Sequence, residues 1–212
     1  MQLVCCKTVS LTIVRKAFLS LALAGLLAGC TNSYVSPVEV TRFTGQQTAR
    51  LGSGTIAVRS APGEPDGTLE FSTYEKAIAT ELERLGYTIV PGQGAAQVAE
   101  LRFGRYVQRP GEKRSPVSVG VGGSTGSYGS GVGVGVGIDL SGPPPDMIDT
   151  ELGVIIRDNG TGAALWEGRA QFRASQNSDY ANQNAAAERL AKAMFAGFPG
   201  ENGETVEVSP EG

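Results

Sequence analysis

Few side chains in this 212-residue chain are reactive, and their types limit its chemistry. There is no histidine. Ser-His-Asp and Cys-His catalysis need an imidazole to move a proton, and His-ligated metal sites need its nitrogen. All three classes are excluded. The three cysteines, Cys5, Cys6 and Cys30, lie within the first 30 residues. Ser53, Ser60 and Ser72 have no candidate base nearby in sequence, and Lys76 and Lys113 lack a partner motif for Ser-Lys chemistry. Asp146, Asp149 and Glu151 follow Pro143-Pro144-Pro145. A calcium loop would want ligands at alternate positions around a central glycine, so these carboxylates are expected on a solvated turn entering a strand. Asp158 and Asn159 read as turn formers. Trp166, the only tryptophan, is expected in the core rather than as a binding platform. The expectation is no catalytic residue, no cofactor and no metal.

Cys30 stands in a more informative setting. Lys7, Arg15 and Lys16 precede Ala17 to Gly29, an uncharged run of 13 residues. A helix needs about 20 apolar residues to span a bilayer, so this run has the length of a secretory h-region. It ends in Leu27-Ala28-Gly29-Cys30, which resembles the lipobox of bacterial lipoproteins. The resemblance implies removal of residues 1–29, cleavage between Gly29 and Cys30, and acylation of the Cys30 thiol and amine. A thiol is required for the thioether, and small residues ahead of it let a peptidase grip extended backbone. Three acyl chains would hold the protein at the membrane, whereas one anchors only marginally at ~0.8 kcal/mol per buried methylene. Thr31 follows where aspartate would signal inner-membrane retention in the enterobacterial sorting rule, so the resemblance implies the outer membrane.

Cleavage would remove three of 18 basic residues and none of 21 acidic ones, taking the net charge from −3 to −6. A nucleic-acid partner would want a basic face, and electrostatic attraction to anionic lipid would too; neither is expected. With Cys30 acylated, the mature chain has no free thiol or disulfide and must fold on its hydrophobic core. Hydrophobic residues make up 41% and charged residues 18% of the chain, an ordinary globular balance.

The elements that must position any site come next. Residues 30–37 read as a lipidated polar tether. Val38 to Phe43, Thr55 to Arg59, Tyr87 to Val90 and Val98 to Gln108 read as strands. Between the second and third of these, Ser72 and Glu75 have capping-box spacing. Tyr74, Ile78, Leu82 and Leu85 then form a helical stripe, with Gly86 as a left-handed stop. Asp149 to Arg157 and Leu165 to Arg173 flank Asp158-Asn159-Gly160-Thr161-Gly162, a hairpin signal in which Asn-Gly accepts positive φ. Ser178 or Asp179 can cap a second helix with the stripe Ala187, Leu190, Ala191, Met194 and Phe195, ended by Phe198-Pro199. Residues 200–212 carry four glutamates and no basic residue, and read as a flexible acidic tail.

The order Phe71-Ser72-Thr73-Tyr74, Leu85-Gly86-Tyr87, Ala99-Glu100-Leu101-Arg102-Phe103, Gly153 to Asp158, Ala163-Ala164-Leu165-Trp166-Glu167-Gly168 and Phe198-Pro199 resembles bacterial lipoproteins carrying domain of unknown function 4136. Glu100 departs from that pattern, where aspartate is usual, and so does Lys76, where an aromatic often stands. The resemblance implies one α+β domain on the periplasmic face of an envelope membrane, and no established catalytic group.

Residues 117–142 hold ten glycines and a single charge, Asp139. Valine alternates with serine and glycine from Val117 to Val121, and with glycine from Val132 to Ile138. Period two puts branched side chains on one face and glycines on the other, which predicts a β-hairpin. No helix N-terminus or Walker lysine follows, so this is not a phosphate loop. Three strand-interior glycines cost ~0.5–1 kcal/mol each; burying five branched side chains would return ~1.5–3 kcal/mol each. Three states stay open: a mobile surface excursion, a hairpin packed on the domain's own sheet or on a partner, and insertion into a bilayer. A lone hairpin cannot sit in lipid with open edges, so insertion would need a closed ring of subunits.

The expected fold is α+β: a mixed or antiparallel sheet of about five or six strands with two helices packed on one face, plus the Gly/Val hairpin-like insert. The expected organisation is a leader over 1–29, a tether over 30–37, one domain over 38–199 and a tail over 200–212. The expected function is that of a non-catalytic, lipid-anchored envelope lipoprotein, a binding or scaffold module on the periplasmic side of the outer membrane. Its expected partners are the membrane, through the acyl chains, and an envelope protein or a second copy through 117–142. The alternative is a pore-like or export assembly built on residues 117–140. A hydrolase of envelope polymers is a third class, opposed by the missing histidine.

Overall fold

The computed structural model describes residues 33–109, 117–126, 129–138 and 144–209. The leader, Gly29, Cys30, Lys113 and residues 210–212 lie outside the described residues. In chain order the elements are β1 (Val38–Thr44), β2 (Gly54–Ser60), α1 (Leu69–Arg84), β3 (Tyr87–Ile89), β4 (Gln97–Gln108), β5 (Val117–Gly126), β6 (Gly129–Ile138), β7 (Met147–Asp158), β8 (Ala164–Ser175), α2 (Gln183–Phe195) and β9 (Glu204–Val208). Seven strands form one mixed sheet in the order β3-β2-β4-β7-β8-β1-β9. β2 runs parallel to β3 and β4, and every other neighbouring pair is antiparallel. The class is α+β, with one strand more than the upper expectation.

The extra strand is β9. The acidic tail is not loose over 204–208: Val38 pairs with Val208 and Arg42 with Glu204 along β1. Glu-Thr-Val-Glu-Val alternates, and Val206 and Val208 pack against the core cluster while the glutamates stay polar. The physical reason is also the buried Arg42, 3% exposed. Its Nη1 donates to Glu204 Oε1 at 2.8 Å, and its other donors reach the carbonyls of Ala193, Met194 and Ala196 at the end of α2. One guanidinium thus satisfies orphan carbonyls of a helix terminus and fastens β9. The domain therefore extends past residue 199.

The other end of the expected domain shifts too. Residues 34–37 are docked rather than hanging as a tether. Tyr34 N donates to Ser175 Oγ at 2.9 Å, Ser175 N donates to Tyr34 O at 2.8 Å, and Ser36 N donates to Arg173 O at 2.8 Å. Val35 packs on the core cluster.

Both helices lie on one face of the sheet and share one core. α1 begins one turn earlier than the Ser72 capping box predicts. Thr68 is its cap, accepting from Phe71 N at 3.0 Å, while the Ser72 hydroxyl donates back to Leu69 O. Tyr74, Ile78 and Leu82 are fully buried, and Gly86 ends the helix with φ +105°. α2 is capped by Asn182, which accepts from Asn184 N and Ala185 N, rather than by Ser178 or Asp179, which open a short 3-10 turn. Its stripe Ala187, Leu190, Ala191, Met194 and Phe195 is buried as expected. Arg189 is sandwiched 4.6 Å from both the Phe172 and Tyr180 rings.

The β7–β8 hairpin closes differently from an Asn-Gly turn. Among the described residues no non-glycine has positive φ, and the left-handed residue of this loop is Gly162 at +72°. Asp158 Oδ1 accepts from Thr161 N at 2.8 Å and Thr161 Oγ1 at 2.7 Å, and Gly162 N donates to Asp158 O. The aspartate's side chain, a local hydrogen-bonding competitor, selects a longer loop.

The Gly/Val insert does form an antiparallel hairpin. Val117 pairs with Ile138, Val119 with Val136 and Val121 with Val134, while Gly120 pairs with Gly135 and Gly122 with Gly133. Among the described residues β5 and β6 make a sheet of their own and add no strand to the main one. No helix among the described residues is long and apolar enough to cross a membrane.

Candidate functional site on the open face of the sheet

Period two in the strands sends alternate side chains away from the helices. On β4, Leu101 and Phe103 turn to the core; Glu100, Arg102 and Tyr106 stand on the other side. On β7 and β8 the corresponding positions are Asp149, Glu151, Gly153, Glu167, Arg169, Gln171 and Arg173. The register aligns them in cross-strand rows: Glu39, Gln171, Glu151 and Gly104 make one, and Thr41, Arg169, Gly153 and Arg102 the next.

Glycines shape this surface. A side chain at Gly104 would strike the Tyr106 hydroxyl at 2.8 Å, and one at Gly153 would strike Arg102 Nε at 2.9 Å. Tyr106 and Arg102 therefore lie flat across bare backbone. The result is a shallow trough of two adjoining concavities, about 580 and 570 Å³, that share Glu39, Tyr106, Glu151 and Gln171 in their walls.

The charges on this face are matched. Buried Glu100 receives Arg59 Nη2 at 2.6 Å and Arg157 Nε at 2.9 Å. Burial pushes its carboxyl up, but the hydrogen bonds from Arg59 and Arg157 outweigh that and hold it below the usual range. Glu167 receives Arg169 at 2.7 Å and Arg102 at 3.5 Å. Asp149 is gripped by Arg173 Nε at 2.5 Å and Nη2 at 2.9 Å and by Gln108 Nε2 at 2.5 Å. The Tyr106 phenol is raised by its hydrogen bond to Glu151. At the far edge, Asp158 is lowered by the two Thr161 hydrogen bonds and pairs with Arg50. Glu100, Glu167, Asp149 and Asp158 are thus arginine-clamped carboxylates, suited to holding a polar partner by hydrogen bonds and to ordering the face itself.

The residues singled out in the sequence are scattered over this frame. Asp149 and Glu151 reach the trough. Asp146 lies at its margin, 3.9 Å from Arg109. Asp158 and Asn159 sit on the β7–β8 loop at the opposite end, and Asn159 Nδ2 donates to Ala95 O. Ser53 is exposed just ahead of β2 and Ser60 is half-buried at its end, while Ser72 and Lys76 are both exposed, one turn apart on α1. Trp166 is 1% exposed, in the core as expected. It lies over Gly168, stacks on Phe195 at 5.4 Å, and donates through Nε1 to Pro199 O at 2.9 Å. No cluster of acidic or cysteine side chains fit for a metal occurs among the described residues. Glu39, Arg102, Tyr106, Arg169 and Gln171 escaped notice in the sequence. Their signal lies in polar positions that alternate with apolar ones along β1, β4 and β8.

An uncharacterized protein of Zymomonas mobilis subsp. mobilis is 29% identical over 216 residues, covering 81% of this chain and 80% of that one. Among solved structures, a PDZ domain protein from Parabacteroides distasonis matches with a TM-score of 0.49 at 14% identity, over 89% of this chain and 41% of that one. The PelC dodecamer from Paraburkholderia phytofirmans matches with a TM-score of 0.38 at 14% identity, over 77% and 95%. A model of the domain of unknown function DUF4136 spans residues 56–200, from β2 to just past Pro199, whose carbonyl accepts from Trp166. That stretch is more than half of the chain, and on it the protein belongs to the DUF4136 family.

Proposed function

We propose that this protein is a non-catalytic lipoprotein, acylated at Cys30 and held on the periplasmic side of the outer membrane as a binding or scaffold module. The observation that carries the proposal is the sequence Leu27-Ala28-Gly29-Cys30 behind a 13-residue uncharged run, ending four residues before the folded domain begins at Tyr34. The open face supports a binding role over a catalytic one. Its most buried carboxylate, Glu100, is lowered by two arginines, whereas a general acid needs a raised value. The acyl chains bind the membrane, and the trough bounded by Glu39, Arg102, Tyr106 and Glu151 offers the surface for an envelope partner.

Fractionation of producing cells tests the anchor. Wild-type protein is expected in the membrane pellet, and Cys30→Ser protein from which residues 1–29 have been removed in the soluble fraction. Membrane retention of the cleaved Cys30→Ser protein would contradict the proposal.

A second proposal rests on β5 and β6, ten-residue strands paired only with each other among the described residues. A ring of subunits, each lending this hairpin, would close the open edges into a pore-like or export assembly. It predicts detergent-resistant oligomers that vanish when residues 117–140 are deleted. A monomer in detergent at high concentration would contradict it.

A further inference from the structure

Five large hydrophobic side chains are exposed among the described residues, and two of them, Tyr34 and Val107, stand at one end of the sheet, while Tyr106 beside them folds back over Gly104 into the trough. That end is defined by pairing. Tyr34 is bonded through its backbone to Ser175, Ser175 is paired with Met147, and Met147 with Gln108. Three strand spacings of ~4.8 Å put Tyr34 about 15 Å from Gln108 along this edge. β4 leaves the main sheet here toward β5, and the chain returns here from β6 into β7.

The same end holds the start of the domain. Five hydrogen bonds fasten residues 34–36: the two between Tyr34 and Ser175, the Ser36 N bond to Arg173 O, the Arg173 N bond to Ser36 Oγ at 3.0 Å, and the Arg189 Nη2 bond to Ser36 O at 2.7 Å. Three residues lie between Cys30 and Tyr34, and the four residue steps that join them reach at most ~14 Å. A chain acylated at Cys30 thus has its leash tied to a fixed point on the fold. The opposite end, the loop around Thr161, is a whole strand away. The twelve residues of β7 span roughly 35 Å at ~3.3 Å per residue.

Resting on the anchor proposed above, we infer that this end of the domain, with Tyr34 and Val107 at its surface, is seated on the lipid surface, with the sheet standing end-on and the Thr161 loop held away from the bilayer. The chemistry fits a membrane interface. Tyrosine places an apolar ring and a polar hydroxyl at headgroup level, and Val107, 56% exposed, adds apolar area. Arg109, whose side chain is 85% exposed, stands at the same edge and is attracted to anionic headgroups. The mature chain is acidic overall, so acyl anchoring supplies the attachment and these residues set the orientation.

The test uses the full acylated protein, purified from membranes and reconstituted into phosphatidylethanolamine–phosphatidylglycerol vesicles. With Cys30 consumed as a thioether, the mature chain has no other thiol, so Tyr34→Cys, Val107→Cys and Thr161→Cys each label at one place with an environment-sensitive fluorophore. All three positions are exposed. Emission at 34 and 107 is expected to shift to the blue and to be quenched by lipids spin-labelled near the headgroup, with neither effect at 161. Protein that floats with the vesicles but shows equal quenching at all three positions, or none at 34 and 107, overturns the orientation and leaves the anchor standing. Floating protein that crosslinks from 107 to 107 of a second copy while escaping quenching also overturns it. Protein that does not float overturns the anchor, and the orientation with it.

Discussion

The helix-covered face and the open face of the main sheet are made by the same strands, yet they are held together by different physics. β7 shows both: Ile148, Leu152, Val154 and Ile156 enter the core, while Asp149 and Arg157 alternate with them into ion pairs with Arg173 and Glu100, and Glu151 meets the Tyr106 hydroxyl. On the covered face, stability comes from excluded water and close packing, so each large side chain matters by its volume. On the open face, charges remain near solvent and largely offset their own desolvation, so most matter little one at a time. Glu100 is the exception, because it is buried and shared by two arginines.

That contrast can be broken experimentally. The largest effect belongs to Trp166→Ala, which removes the ring packed between Gly168, Phe195 and Phe198; a loss of about 3–5 kcal/mol in urea unfolding is expected. A loss below about 1 kcal/mol would mean that the ring lies outside the core. A smaller effect, about 1–2 kcal/mol at neutral pH after allowance for the exposure of its partners, is expected of Glu100→Gln. Its sign is fixed by linkage: the folded carboxyl titrates below its ordinary value of 4.5, so its contribution is present above that pH and is lost as pH falls through the folded value. Thermal melts from pH 7 to pH 3 should show the wild type losing more stability than Glu100→Gln; parallel curves would contradict the clamp. The smallest effect is that of Arg102→Ala, whose pair with Glu167 is 3.5 Å long and half exposed. A change within about 0.5 kcal/mol is expected, and a larger one would erase the distinction between the faces.

Much of this division was legible in the sequence, since period two and period 3.6 report which side of an element is dry. The stripes of both helices and the long β4, β7 and β8 strands read correctly because each is a local pattern. Caps were misplaced because several residues compete for one role: Thr68 and Asn182 prevail over Ser72 and Ser178 through chain geometry that composition does not encode. In sequence β9 reads as a tail because its glutamates outweigh the alternation of Val206 and Val208. What fixes it is Arg42, 162 positions away from Glu204, and no local pattern announces a buried guanidinium. The open-face site has the same character. Tyr106 lying across Gly104, and Arg59 meeting Arg157 at Glu100, depend on strand order, which emerges only when β2 and β4 are found parallel.

The central claim is chemical and concerns one residue. Mass spectrometry of the amino-terminal peptide, from protein isolated from the producing cell, tests it directly. The account predicts a mature chain that begins at Cys30 and carries a diacylglyceryl thioether and an acylated amine. A chain that retains residues before Cys30, or that begins there with an unmodified thiol, would contradict it.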